Sequence, residues 1–465
     1  MKQGSSVRLM AAALAAGTLL IAACSSDGST TNGTTAATTA DTSASETTAA
    51  AVETTAAPET TAAAETGWAV DTSACIDPAA AEAPIEGTVK IGSAMPLSGG
   101  IAAAAFAPVK GGFEAYIKYA NEKKLLGDIT IEATIEDDQY NKDLTPGAVS
   151  KQIDAGVNLF AGIIGSPNNG AVRDTLNEEC IPQLNALTGS PAWGEVADYP
   201  WTTGILVPYT VESKVYAKQL AEMYPDGANV AMFYVNNEFG QVYADAFKEL
   251  APDYNLTIVD EQTIEAEDPA PPVSQITSIA AKKPDVVMAV PLGAGCVTFL
   301  GALADAKAQN ADWTPATFIT NTCASSLILG AAGAAADGLY TSNNLVDVAA
   351  PANAENPNVK EYLAFMEAQK LSEIATTASA GWTTAEATVA ILKQAAESPE
   401  GLSRASIINA ARNFTFTPML ARDGVVDKSS GEEDPFLAQS LQVLQYDADT
   451  ATFTDIGSLI TEFES

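Results

Sequence analysis

The sequence predicts an α/β fold with two mainly parallel sheets, and three observations carry that expectation. Short, apolar, β-rich runs alternate with longer helical stretches from about residue 88 onward. Near-continuous apolar strands separated by amphipathic helices mean a parallel sheet covered on both faces. The alternation runs to about residue 187 and restarts near residue 208, so a second sheet follows the first. The turns after the strands are small, polar and rich in glycine. Such turns suit the carboxyl ends of strands, where open parallel sheets bind their ligands.

In chain order, VKIGSAMP (89–96) reads as a buried strand, followed by a helix over about 108–124. ITIEATIEDD (129–138) is a second strand, followed by a helix over about 146–156. LFAGIIGS (159–166) is a third, with a helix over about 169–179, and IPQLNAL (181–187) is a fourth. The second series opens with a helix over about 208–223, then the strand NVAMFYVNN (229–237) and a helix over 240–250. LTIVDEQTI (256–264), DVVMAVPL (285–292) and ATFITN (316–321) continue as strands. Helices near 357–369, 380–397 and 403–413 follow, and QSLQVLQYD (439–447) is the last strand candidate.

The strand-end turns are MPLSGG (95–100), GSPNNG (165–170), ALTGSP (186–191), VNNEFG (235–240), PLGAGC (291–296) and TNTCASS (320–326). Any one of them is an ordinary strand-to-helix turn. As a set, on two facing sheets, they make a cleft. Small residues let a ligand approach the backbone, while Asn, Ser and Thr supply both donors and acceptors.

Composition narrows the function. The body, from about Trp68 to Ser465, suits two lobes of ordinary size. The chain carries 23 basic and 58 acidic residues, a formal charge of −35. That excess argues against nucleic acid and against anionic lipid surfaces as partners. The chain has no histidine, which excludes Ser-His-Asp triads and His-ligated metals. There is no GxSxG, SxxK or P-loop, and GAGCVT (293–298) lacks the third glycine of a dinucleotide fingerprint. No cofactor, metal or enzymatic activity is therefore expected. A carboxylate-pair hydrolase stays formally open, because 58 acids always allow some pair.

The N-terminus reads as an export signal. Lys2 and Arg8 precede an apolar segment, Leu9 to Ala23, that is too short to span a bilayer. Ile21-Ala22-Ala23-Cys24 looks like a bacterial lipobox, in which Cys24 is acylated and becomes the new N-terminus. Loss of Lys2 and Arg8 with residues 1–23 would lower the charge by two, from −35 to −37. Residues 25–66 hold no Lys, Arg, Leu, Ile or aromatic residue, and fourteen of them are Thr. Such a tract cannot bury enough apolar surface to offset chain entropy. As a disordered linker over 24–66 it would reach on the order of 35–40 Å. A leash and a Thr-glycosylated stalk both fit. Residues 67–87 then form an N-terminal extension to the body. Four cysteines remain, an even number that in an exported protein reads as two disulfides. Of the three pairings, Cys75–Cys180 with Cys296–Cys323 is favoured. The first would pin the extension to the body, and the second would join the ends of two successive strand regions.

At these residues the chain resembles the leucine/isoleucine/valine-type extracellular solute-binding proteins of ABC importers, which have the type I periplasmic-binding fold. KIGSAMPLSGG (90–100), GGFEAYIKYAN (111–121) and IEDDQ (135–139) are similar to that family's first strand, helix and second strand. AGIIGSPNN (161–169) resembles its third strand and ligand turn. YVNNEFGQVYADAFKE (234–249) resembles the strand, turn and helix that open its second lobe, with Phe239-Gly240 where the family has a tyrosine-glycine pair. PDVVMAVP (284–291) and GLYTSNNL (338–345) also fit. The order and spacing of these segments from Thr88 to Leu459 carry the resemblance. It implies two Rossmann-like lobes joined by three crossing segments, with lobe one at 88–207 and 338–422 and lobe two at 208–337 and 435–460.

The resemblance also implies ligand contacts. These are Ser98 and Gly99 in the turn after the first strand, Phe106 at an aromatic position, and Asn168 or Asn169 where the family has a hydroxyl that holds a ligand carboxylate. Leu187, Thr188 and Gly189 take the place of a backbone-plus-threonine clamp, and Phe239 that of a stacking aromatic. The acid that pairs with an amino-acid ammonium would lie near Thr322, where no acid stands. An ammonium removed from water needs a charged or strongly polar partner. Glu238 is the available substitute; otherwise the ligand lacks an ammonium and is an amide, a urea-like compound, a short carboxylate or a small aromatic. Phe239, Phe106 and Trp382 would supply apolar walls, though Trp382 equally suits a core. The function implied is that of a lipid-anchored, extracytoplasmic monomer that delivers a small polar or amphipathic solute to an ABC permease. The alternative is a ligand-sensing receptor with no part in transport.

Overall fold

Apolar strands with no polar face must be covered on both sides, and that requirement shapes both lobes. The computed structural model describes residues 67–100, 102–268 and 270–461. Cys24, the signal segment and the Thr-rich tract all lie outside these residues. The first sheet holds β1 (Thr88–Met95), β2 (Thr130–Asp137), β3 (Leu159–Ala161), β4 (Gln183–Ala186) and β5 (Thr202–Gly204), all parallel, in the order β2-β1-β3-β4-β5. The first helices in chain order are α1 (Pro78–Glu82), α2 (Ala103–Glu122), α3 (Thr145–Asp154) and α4 (Ser166–Glu178). Val149 of α3 with Val172 and Leu176 of α4 bury one face of this sheet against Ala94 and Phe160.

The second sheet follows in the same idiom. Its parallel strands are β6 (Ala228–Val235), β7 (Leu256–Ile264), β8 (Val286–Val290), β9 (Ala316–Ile319) and β10 (Tyr340–Asn343). Helices α5 (Tyr209–Met223), α6 (Glu238–Leu250), α7 (Val273–Lys282), α8 (Ala294–Gln309) and α9 (Ser326–Ala332) alternate with them. Every residue of β8, VVMAV, is buried. The chain then returns to the first lobe for α10 (Pro357–Ala368), α11 (Ala375–Ala396), α12 (Arg404–Arg412) and the hairpin of β11 (Asn413–Phe416) with β12 (Asp427–Ser430). It ends in β13 (Leu441–Asp447), antiparallel to β10, and β14 (Thr452–Ile460), antiparallel to β13. The order of the second sheet is β14-β13-β10-β9-β8-β6-β7.

The α/β class and the two lobes with three crossings therefore hold, with corrections at the edges. The second sheet is mixed rather than purely parallel. β10 belongs to it, so the return of the chain to lobe one begins beyond residue 343 rather than at 338. Lobe one also keeps β12, out to Ser430 rather than 422. β5, β10 and β14 escape the sequence reading because TTG and YTSN are short and polar, and TFTDIGSLI is a half-exposed edge strand with no apolar run. Helices α7 and α8 also lie in segments left without an element.

Two helices of lobe one touch backbone to backbone. A Cβ on Gly112 of α2 would stand 1.9 Å from the carbonyl oxygen of Ala378, and one on Gly381 of α11 would stand 1.9 Å from that of Val109. No other residue type permits this approach. Beside it, Trp382 is fully buried, edge-on to Tyr116 and Tyr362 at 4.9 and 5.1 Å, so it is core and not a ligand wall. The disulfides are Cys75–Cys180 and Cys296–Cys323. With Val70 N–H donating to Asn409 Oδ1 at 2.8 Å and Ile76 N–H to the Glu178 carbonyl at 3.0 Å, the first bridge ties the extension 67–87 to lobe one.

Replacing Gly112 with Ala should lower the stability of the chain by about 3 kcal/mol, the upper end of the cost of overpacking. Gly147, in α3, has nothing within 4 Å of an added Cβ. Gly147→Ala should therefore raise stability by about 0.4–1 kcal/mol through the unfolded state. Thermal unfolding of the two variants reads both signs.

Burial also sets a pH dependence. It raises the Glu386 carboxyl from its ordinary 4.5 to about 8, with the Met419 N–H pulling the other way. It raises Asp427 from 3.8 to about 7 against the Gln439 N–H. Each group binds its proton more tightly folded than unfolded. Stability from these carboxyls is thus complete below the ordinary values and falls as pH rises toward 8. The melting temperature of Glu386→Gln, measured from pH 5 to 8.5, should fall less steeply than that of the parent chain.

Candidate functional site

Strand-end turns of both sheets and the crossing segments converge on one chamber of about 200 Å³. Lobe one supplies Ala105, Phe106 and Val109 from α2, with Tyr140, Ile164, Gly165 and Leu187 from its turns. Lobe two supplies Phe239, Leu292, Asn321, Thr322 and Ile328. The crossings add Ile205, Leu206, Val207 and Tyr209 on one side and Asn343, Asn344 and Leu345 on the other. Thr376, Thr377, Ser379 and Ala380 close the chamber from the start of α11. Among the described residues, no Asp, Glu, Lys or Arg lines it.

The aromatic wall is built from strained and packed parts. Tyr140 sits at φ 59°, in the left-handed region that a bulky residue rarely adopts. Its N–H donates to Asp138 Oδ1 at 3.1 Å, which holds the turn. Phe106 stacks over its ring at 6.2 Å and 14°. Gly165, at φ 100°, faces the same ring, and a Cβ there would stand 2.6 Å from it. Tyr209 stacks on Tyr243 at 4.4 Å and meets Phe239 edge-on at 5.3 Å. The lobes touch at this rim, where Ser190 Oγ donates to Glu238 Oε1 at 3.1 Å.

Of the residues expected at the site, Phe106, Leu187, Phe239 and Thr322 line the chamber. The others lie elsewhere. Ser98 and Gly99 are exposed, and Ser98 caps Asp137 through its N–H and hydroxyl. Asn168 is fully buried behind the wall and donates to Asp138 Oδ2 and Thr145 Oγ1, both at 2.9 Å. Asn169 donates to the carbonyls of Ile163 and Gly165 and so braces the turn. Glu238 bridges to Ser190 and does not reach the chamber.

The clamp residues have a different partner. Tyr209 is buried with its ring against Gly189, and its hydroxyl faces the Gly189 backbone and the hydroxyls of Thr188 and Ser166. Ser166 and Thr188 are themselves 2.7 Å apart. Burial pushes the Tyr209 phenol up to about 12, so it stays neutral. The donors that would clamp a carboxylate are thus satisfied from within the chain.

Behind the lobe-two wall lies Glu212, fully buried in the first turn of α5. Its Oε1 accepts from the Tyr216 hydroxyl at 2.6 Å, the Asn321 N–H at 2.8 Å and Ser342 Oγ at 3.0 Å, and its Oε2 accepts from the Tyr243 hydroxyl. Burial raises this carboxyl, and the four donors pull it back. Tyr140, Tyr209 and Glu212 were not singled out from sequence. The DDQY turn and the VPY crossing carry no recognised motif, and their roles arise from what they face.

The comparisons with known proteins come in two kinds. Residues 88–451 match the sequence profile of the periplasmic binding proteins. No curated protein matches the chain in sequence. Among solved structures, a branched-chain amino acid ABC transporter protein from Thermus thermophilus with bound valine superposes with a TM-score of 0.71 at 16% identity, over 81% of this chain and 97% of that one. A fatty acid ABC transporter substrate-binding protein from Thermomonospora curvata gives 0.68 at 16% identity, over 81% and 93%. An ABC transporter solute-binding protein from R. palustris in complex with benzoate gives 0.66 at 18% identity, over 81% and 98%.

Tyr209→Phe removes one hydroxyl and leaves the Gly189 N–H that it faces without a partner, while Ser166 and Thr188 keep each other. An unsatisfied buried polar group costs about 1–3 kcal/mol. Thermal unfolding of the ligand-free variant should show a loss in that range.

Proposed function

Because the chain belongs to the periplasmic binding protein family, a family of extracytoplasmic binding proteins and not of enzymes, we propose that it captures a small, mainly apolar solute and delivers it to an ABC permease. The single observation that carries this reading is the chamber: set between two lobes, walled by Phe106, Tyr140, Tyr209 and Phe239, and lined by no charged side chain among the described residues. A zwitterionic amino acid would leave its carboxylate without a cationic partner in this lining, and an unpaired charge out of water costs several kcal/mol. The ligands named for proteins of the same fold, a fatty acid and benzoate beside valine, include largely apolar bodies of this kind.

The working cycle we propose is hinge closure. The three crossings flex, solute binds between the open lobes, and closure buries it. Ligand favours closure only by its differential affinity for the closed form. We further propose that Cys24 carries the lipid anchor, that residues 25–66 serve as the leash, and that the protein acts as a monomer. These three rest on the sequence alone.

A thermal-shift panel on the chain tests the solute class. A compound at about 100 times its Kd adds about 2.7 kcal/mol of stability. Small apolar-bodied compounds should shift the melting temperature, and leucine, isoleucine and valine should not. A clear shift with any of the three amino acids would sink the reading.

A further inference from the structure

The chamber does not end at its apolar walls. A polar annex of about 30 Å³ continues from it, sharing Ala324, Ser325, Asn343, Leu345, Thr376 and Ser379 with the main space. None of the four ring walls of the chamber borders this annex. Its size suits about one water-sized group. It reaches Asp347 and Arg422, which the main chamber does not.

Two polar atoms of residues that line the annex are buried and have no hydrogen-bond partner among the described residues: Ser325 Oγ and Asp347 Oδ2. The other oxygen of Asp347 is engaged, accepting from Ser326 Oγ at 3.2 Å and the Ala349 N–H at 3.0 Å. Arg422 also lines the annex and its positive charge acts on Asp347, but its hydrogen bonds go elsewhere. Its Nε donates to the Leu345 carbonyl at 3.2 Å, and its Nη1 pairs with Asp455 at 2.6 Å. Buried polar atoms are nearly always paired, so an unpaired carboxylate oxygen and an unpaired hydroxyl lining one annex of a ligand chamber call for a partner. A carboxylate oxygen accepts only, and the hydroxyl can do either.

We propose that Asp347 Oδ2, with Ser325, binds the head group of the solute. That head is a non-anionic hydrogen-bond donor, an amine or a hydroxyl, on an apolar body that fills the main chamber. This rests on the reading of the chamber as the solute site. The polarity of the cleft follows from its two ends. The strand-end clamp at Thr188 and Gly189 is closed by Tyr209, and the polar end lies at the second crossing. An anionic head would meet Asp347 at short range in a low-dielectric site, where like charges repel strongly.

The probes are benzylamine, benzyl alcohol and benzoate, which share one ring, titrated calorimetrically against the full chain and two variants. Benzylamine or benzyl alcohol should bind at least tenfold more tightly than benzoate. Preference for the amine assigns a cationic head, preference for the alcohol a neutral one. Asp347→Asn keeps an oxygen for Ser326 and Ala349 but turns an N–H2 toward the annex. It should weaken benzylamine at least tenfold and strengthen benzoate, a gain that misfolding cannot produce. The proposal is overturned if benzoate binds the parent chain as tightly as the others, if none of the three binds, or if Asp347→Asn leaves the ranking unchanged. Ala380→Trp, which fills the main chamber, separates the two readings. Loss of binding there with no effect of Asp347→Asn removes only the head-group assignment. Unchanged binding there removes the chamber as the site.

Discussion

One buried carboxylate organises the lobe-two side of the cleft. Glu212 has no solvent to stabilise its charge, so it must be surrounded by donors. Those donors come from four places: Tyr216 on its own helix, Tyr243 on α6, the Asn321 backbone in the turn after β9, and Ser342 in β10. The first crossing enters α5 one turn before Glu212, and the second leaves β10 one residue after Ser342. A single side chain therefore fixes where two of the three hinges begin, and it sets the chamber wall at Asn321 and, through the stack on Tyr243, at Tyr209.

Lobe one obtains its rigidity by a different route. There the α2 and α11 backbones meet through Gly112 and Gly381, and the ring cluster around Trp382 packs alongside. Both helices also face the chamber, α2 with Phe106 and α11 with Thr376 to Ala380. Packing at the glycines thus determines the width of the cleft. The hinge closure proposed above asks the crossings to flex between these two packed bodies.

The polarity of the site is the less expected outcome. In the resemblance, polar groups at strand ends face the ligand. Here the strand-end donors Ser166, Thr188 and Gly189 face Tyr209, and Asn168 and Asn169 face Asp138 and the backbone. What remains toward the chamber is mainly ring and aliphatic surface, with side chains such as Asn321, Thr322 and Asn344 among it and unpartnered polar atoms at Ser325 and, in the annex, Asp347. A neutral phenol from within the chain occupies the place where a ligand carboxylate would otherwise sit. Residue types alone do not distinguish the two cases.

The division between sequence and structure follows from range. Period-two and period-3.6 patterns are local, so β1, β2, β6 and β7, helices α5 and α6, and the doubling of the α/β pattern were legible in the sequence. The absence of His and the spacing of four cysteines bounded the chemistry in the same way. Whether Asn168 meets a ligand or Asp138, 30 residues away, depends on the direction a side chain takes in the folded body. So does whether β10 joins the first lobe or the second, because YTSN carries no apolar signal and its place is set by its neighbours β9 and β13. Composition and periodicity determined the fold class and the presence of a cleft. Only the tertiary structure decided which polar groups spend their hydrogen bonds inside the chain and which remain for a ligand, because that balance is struck between residues far apart in sequence.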